Sequence, residues 1–145
     1  MLLAVDICLI VAHEIAATYD DLDATASKVD FVSVNVNAGH SSPATVVSFV
    51  HLHGNGIGTV PNFYYVTGRP GALRPVWTGY GIIVHVNNGK VFHSEGLYFI
   101  APGGVVRYQA TPFANMREVG NGRLPPATIA QWGKGIAKYA EKVAG

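Results

Sequence analysis

Apolar positions along this chain follow two rhythms. From Cys8 to about Leu22, Ile10, Val11, Ile15, Ala16, Tyr19 and Leu22 recur at helical spacing and predict a helix. "DFVSVNV" (30–36) alternates Val32, Val34 and Val36 with Phe31, Ser33 and Asn35, the pattern of a strand. "SSPATVVSFVHLH" returns to a helical reading, with Ser42 as N-cap and Pro43 at the first helical position. "NFYYVTG" (62–68) is an aromatic and β-branched strand closed by Gly68. In "RPGALRPVWTGYG", Leu73, Val76, Trp77 and Tyr80 share one helical face, and Pro75 is read into the first turn, where proline is tolerated.

The second half carries the clearest local signals. In "IIVHVNNGKVFH", Asn88-Gly89 between two alternating runs predicts a two-residue hairpin turn with positive φ. Leu97 to Ala101 reads as a strand, and "VVRYQA" as its antiparallel partner across Gly103-Gly104. Residues 111–124 read as an irregular loop. From Pro125-Pro126 to Val143, Ile129, Trp132, Ile136, Tyr139 and Val143 form one helical stripe. The order is helix, strand, helix, strand, helix, hairpin, two strands, helix. Strands joined by helices imply parallel crossovers, and the late hairpins add antiparallel strands. The expectation is an α/β sandwich with a mixed sheet, of thioredoxin-like type, incomplete at the N-terminus.

Composition narrows the picture. A chain of 145 residues fits a single domain, 1–145, with one sizeable core. Only 13% of residues are charged and the net charge is +1, with no basic or acidic patch, which argues against nucleic acid as a partner. The apolar stretch "LLAVDICLIVA" carries Asp6, lacks a basic flank and falls short of the roughly 20 residues a membrane span needs. The one cysteine, Cys8, excludes an intramolecular disulfide.

Chemistry-bearing residues are few. His93 stands directly ahead of the apolar strand at 97–101. His13 lies five residues after Cys8, about 140° round the helix, and points away from it. His51 and His53 read as solvated residues at a helix end, and His85 as a surface residue on the hairpin. "GNGIG" (54–58) does not run from a strand into a helix, so it is no dinucleotide loop. Trp77 and Trp132 lie on apolar stripes and read as core.

Three segments resemble the SCO/SenC family. "CLIVAHEIAATYDDL" is similar to the segment after the second cysteine of that family's C-x-x-x-C motif. "NFYYVTGRPGALRPVWTGYGI" resembles its strand, Thr-Gly turn and helix, and "VFHSEGLYFIAPGG" its metal-histidine segment. The resemblance implies a thioredoxin-like domain that binds copper and serves cytochrome c oxidase assembly, with an oxidase subunit or a copper donor protein as partner. It also implies an extracytoplasmic, membrane-associated setting, although this stretch contains no anchor. Carried over residue by residue, the metal ligands are Cys8 and His93.

The chain departs from the family at several positions. Ala4 stands where the first motif cysteine falls, Leu9 replaces the usual proline, and Asn37 occupies an acidic position. Two donors remain, a soft thiolate and an imidazole, a set suited to Cu(I), with Asp6 the nearest substitute for a third. One thiol cannot resolve a mixed disulfide, which removes dithiol reductase activity from the monomer. Two other readings use the same residues: a one-cysteine thiol peroxidase or reductase-like enzyme, and a metal-free protein-interaction domain. Only Met1–Val5 precede the motif region, too few for the central strand the resemblance implies. Because each buried unpaired main-chain group costs about 1–3 kcal/mol, that place is expected to be filled. Upstream residues, the Met1–Val5 stub or a strand donated by another chain would serve.

Overall fold

A computed structural model describes residues 4–51, 56–111 and 124–145, with the side chains of the first helix described from Ile10 onward. That helix, α1, spans Ala4–Asp21. It begins four residues earlier than the sequence pattern suggests, because nothing between Ala4 and Ile7 breaks a helix. Within the helix the carbonyls of Ala4 and Val5 accept from residues one turn on, whereas a strand there needs neighbours. Ala4 and Val5, the described part of the stub, are therefore helix and not strand. After α1, Asp23 takes a positive φ of 48° and starts a short 3₁₀ turn, Asp23–Lys28.

The central contact of the molecule is α1 against the last helix, α4 (Pro126–Ala144). Among the described side chains of α1 the most deeply buried are Ile10, Glu14 and Thr18, and Leu22 just past its end continues the stripe at four-residue spacing. On α4 the apolar stripe holds, with Ile129 and Ile136 buried, and a second line of small residues, Gly133, Ala137 and Ala140, lies buried beside it. Gly133 lets the helices touch: a Cβ there would lie 2.8 Å from Ala17 Cβ. Leu22, Phe31, Phe99 and Ile136 belong to one core cluster, and Ile10, Leu124 and Ile129 form a smaller one.

Strands β1 (Phe31–Val34) and β2 (Phe63–Val66) pair in parallel, Phe31 opposite Phe63, with α2 (Pro43–His51) as crossover. Ser42 caps α2 as expected: its Oγ accepts from the Thr45 N–H at 3.2 Å. Helix α3 (Pro70–Gly79) buries Leu73 and Trp77. Pro75 lies inside α3 rather than in its first turn, because Pro70 already occupies the start. Trp77 Nε1 donates to the Asn35 carbonyl at 3.0 Å, and Asn35 Oδ1 accepts from the Asn37 N–H at 2.8 Å. Asn37 thus belongs to a side-chain-supported turn that ends β1.

The two hairpins form as the sequence predicts. β3 (Val84–Asn87) pairs antiparallel with β4 (Lys90–His93) across Asn88 (φ 49°) and Gly89 (φ 74°). β5 (Leu97–Ile100) pairs with β6 (Val106–Ala110) across Gly103 and Gly104, both at positive φ.

Mixed α/β architecture is therefore present, but the single mixed sheet is not. The described strands form three separate pairs. β1 and β5 both feed the main core, through Phe31 and Phe99, yet no described strand joins them. The expectation that this place must be filled rested on the cost of buried main-chain groups. Val32 is 58% exposed and Ile100 41%, and among the described residues β1 pairs with β2 alone and β5 with β6 alone. Among the described residues, no helix is long and apolar enough to cross a membrane.

Candidate metal site

His93 closes β4. In the hairpin register it lies opposite Val84, on the face shared with Val86 and Val91, and it is half-buried. His85, opposite Phe92, belongs to the other face and is exposed. It therefore does not join His93. Ser94 locks the strand end: its N–H donates to the Ile83 carbonyl at 2.9 Å, and its Oγ accepts from the Ile83 N–H at 2.9 Å.

The His93 ring has a defined role for one nitrogen. Nδ1 lies 3.0 Å from the Ser94 carbonyl oxygen, which can only accept, so this bond requires a proton on Nδ1. In the neutral ring that leaves the Nε2 lone pair for a metal or a proton. A carbonyl partner of this kind is the usual way proteins fix the tautomer of a ligating histidine.

Glu95 is a neighbour to which sequence reasoning gave no role. Burial raises its carboxyl above the ordinary range, and the charge of His93 pulls it back, so the two groups lie within electrostatic reach. The available signal was the His-x-Glu spacing in "FHSEG", which reads equally well as a strand exit.

Cys8 sits on the second turn of α1 rather than at its start, because the helix begins at Ala4. Stabilisation of a thiolate by the helix dipole falls off within the first turn, so Cys8 receives less of it than a helix-opening cysteine would. Ala4, which the resemblance would align with a motif cysteine, is the first residue of α1. Asp6 lies between them in the helix. β4 nevertheless packs against α1, which brings the element carrying His93 onto the element carrying Cys8.

The other histidines are placed separately. His13 is buried in α1 and engaged by neighbours, His51 is exposed at the end of α2, and His53 lies outside the described residues. Most of the loop expected at 111–124 also lies outside them, with Leu124 buried at its end. Among the described residues, no three histidine, cysteine or acidic side chains gather as a metal-binding group. The donor chemistry of Cys8 and His93 suits two-coordinate Cu(I), for which a thiolate and a neutral imidazole suffice.

No protein-family model, no curated protein and no solved structure matches this chain.

Proposed function

We propose that the domain is a reduced copper-binding module of SCO/SenC type, which holds Cu(I) through Cys8 and His93 and passes it to a partner in cytochrome c oxidase assembly. The observation that carries this reading is the packing of β4 on α1, which joins segments some 85 residues apart in the order the resemblance requires. The His93 tautomer adds to it, because Nε2 is left as a donor. When bound, copper would supply the cargo and no bond-making step. The protein's part is to present a thiolate and an imidazole, and to release the ion readily because a third ligand is missing.

The test is titration of the reduced protein with Cu(I) against a competing chelator, with Cys8→Ser and His93→Ala in parallel. One-to-one binding weakened at least about tenfold by each change, ~1.4 kcal/mol per decade, is the expected result. Binding indifferent to both substitutions, or no binding, overturns the proposal.

A further inference from the structure

We propose that the groove between α4 and the β5–β6 pair binds a small planar aromatic anion, of the class of bicyclic carboxylates. Small residues open it. Ala110 on β6 and Gly135 on α4 stand on its two walls, and a Cβ on Gly135 would meet nothing within 4 Å. The walls therefore fail to meet and leave a cavity of about 390 Å³, within the usual range for small-ligand sites. Leu97 and Phe99 line the strand side, and Trp132, Ile136 and Tyr139 the helix side. A second cavity of about 380 Å³ shares Phe99, Ala110 and Tyr139 with the first and adds Arg107, Tyr108 and Gln109.

One end of the groove is aromatic and positively charged. Its three rings contact one another, with centroids 6.5 Å apart for Phe99–Tyr108, 5.6 Å for Phe99–Tyr139 and 5.0 Å for Tyr108–Tyr139. Phe99 is buried, whereas Tyr108 and Tyr139 stay 39% and 41% exposed, which leaves ring surface for a guest. Lys142 Nζ lies 4.9 Å from the Tyr139 ring centre, and Arg107 belongs to the same lining. Lys134 and Lys138 precede Lys142 at four-residue spacing, beside the line of Gln131, Gly135 and Tyr139 on α4. The described lining residues include no acid.

Charge and shape select the guest. A carboxylate complements a guanidinium and an ammonium, and the Arg107 fork can bind it through two parallel N–H donors. The rest of the guest meets rings and aliphatic side chains, so a flat apolar body gains most from burial there. A cationic guest is repelled by Arg107 and Lys142, and a neutral one forgoes the ionic contact. This inference is independent of the metal reading, whose residues lie on α1 and β4.

The test is calorimetric titration of the intact protein with 2-naphthoate, and with 2-naphthamide as its neutral counterpart. Two variants accompany it: Gly135→Leu, which places a side chain in the groove, and the double change Arg107→Gln with Lys142→Gln, which removes its charge. The expected result is one-to-one binding of the acid, with the amide weaker by at least about tenfold. Gly135→Leu should weaken the acid by at least about tenfold without lowering the urea midpoint, and the double change should close the gap between acid and amide. Each of the remaining outcomes overturns the proposal. No saturation at millimolar naphthoate means there is no site. Equal binding of acid and amide, or a gap that outlasts the double change, means the two cations do not select the anion. Acid binding that survives Gly135→Leu places the ligand elsewhere. A lowered urea midpoint in that variant means the chain itself fills the groove.

Discussion

At the scale of single residues, Glu14 shows how burial creates chemistry that a sequence does not advertise. It lies in the α1 stripe between Ile10 and Thr18, only 1% exposed, and among the described residues its Oε2 has no hydrogen-bond partner. Burial pushes its carboxyl from 4.5 to about 7. The folded state thus holds this proton more tightly than the unfolded chain. Stability is greatest with Glu14 protonated and falls as pH rises from about 4.5 to about 7, by roughly 3 kcal/mol in all. Glu14→Gln should remove that slope, so its urea midpoint at pH 8 should exceed that of the parent while the two converge near pH 4.5. An unchanged slope in the variant would reject this account. The helical spacing placed Glu14 on α1 correctly. Its burial was not legible, because helical periodicity marks one apolar face and α1 is enclosed on several sides. Similarly, His93 could be read as a strand-end residue, but its Nδ1 bond to the Ser94 carbonyl could not.

At the scale of elements, α4 separates two glycines that look alike in "QWGKGIAK". A Cβ on Gly133 would meet Ala17 Cβ at 2.8 Å and the Ala17 carbonyl carbon at 3.0 Å, atoms with little freedom to move. A Cβ on Gly135 meets nothing within 4 Å. Gly133→Ala should therefore destabilise by about 1–3 kcal/mol through overpacking, less the helix-propensity gain. Gly135→Ala should stabilise by about 0.5–1 kcal/mol, because only the propensity gain remains. Chemical denaturation of both variants checks the pair, and effects of the same sign would contradict the helix contact. The stripe of Ile129, Trp132 and Ile136 was legible from apolar spacing. The line of Gly133, Ala137 and Ala140 was not, because small residues mark a close approach only once the partner helix is known. Hairpin turns, by contrast, were fully legible, since Asn88-Gly89 encodes its own backbone geometry.

For the whole molecule, the order of helices and strands followed from local pattern, and the lateral assembly of the strands did not. Pairing β1 with β5, or with a strand between them, depends on segments more than sixty residues apart, which no local periodicity reports. The three strand pairs also differ in support. Phe31, Phe63, Leu97 and Phe99 tie β1–β2 and β5–β6 to the main core, whereas Ile83 beside the third pair, and Val86 and Phe92 within it, are exposed. The β3–β4 hairpin should therefore open locally at lower free energy than the α1–α4 core. In native-state hydrogen exchange its amides should respond little to low denaturant, while those of Leu22 and Ile136 follow global unfolding. Equal protection throughout would mean that the hairpin is coupled to the core more tightly than its exposure indicates. Cu(I) bound through Cys8 and His93 should raise hairpin protection selectively, because it would tie β4 to α1.

The packing of α1 on α4 also sets an order of events during synthesis. The helix that comes first on this stretch has its main partner more than a hundred residues later. Until Pro126–Ala144 has left the ribosome, α1 lacks its main partner, and Ile10 and Leu22 lack Ile129 and Ile136 from their core clusters. At roughly 5–20 residues per second, that leaves the early strands and α1 waiting for several seconds with apolar surface uncovered. Closure then joins distant ends of the chain, a contact pattern that slows folding. A nascent chain stalled before Pro126 should accordingly be a far better substrate for holding chaperones than one stalled well beyond Ala144.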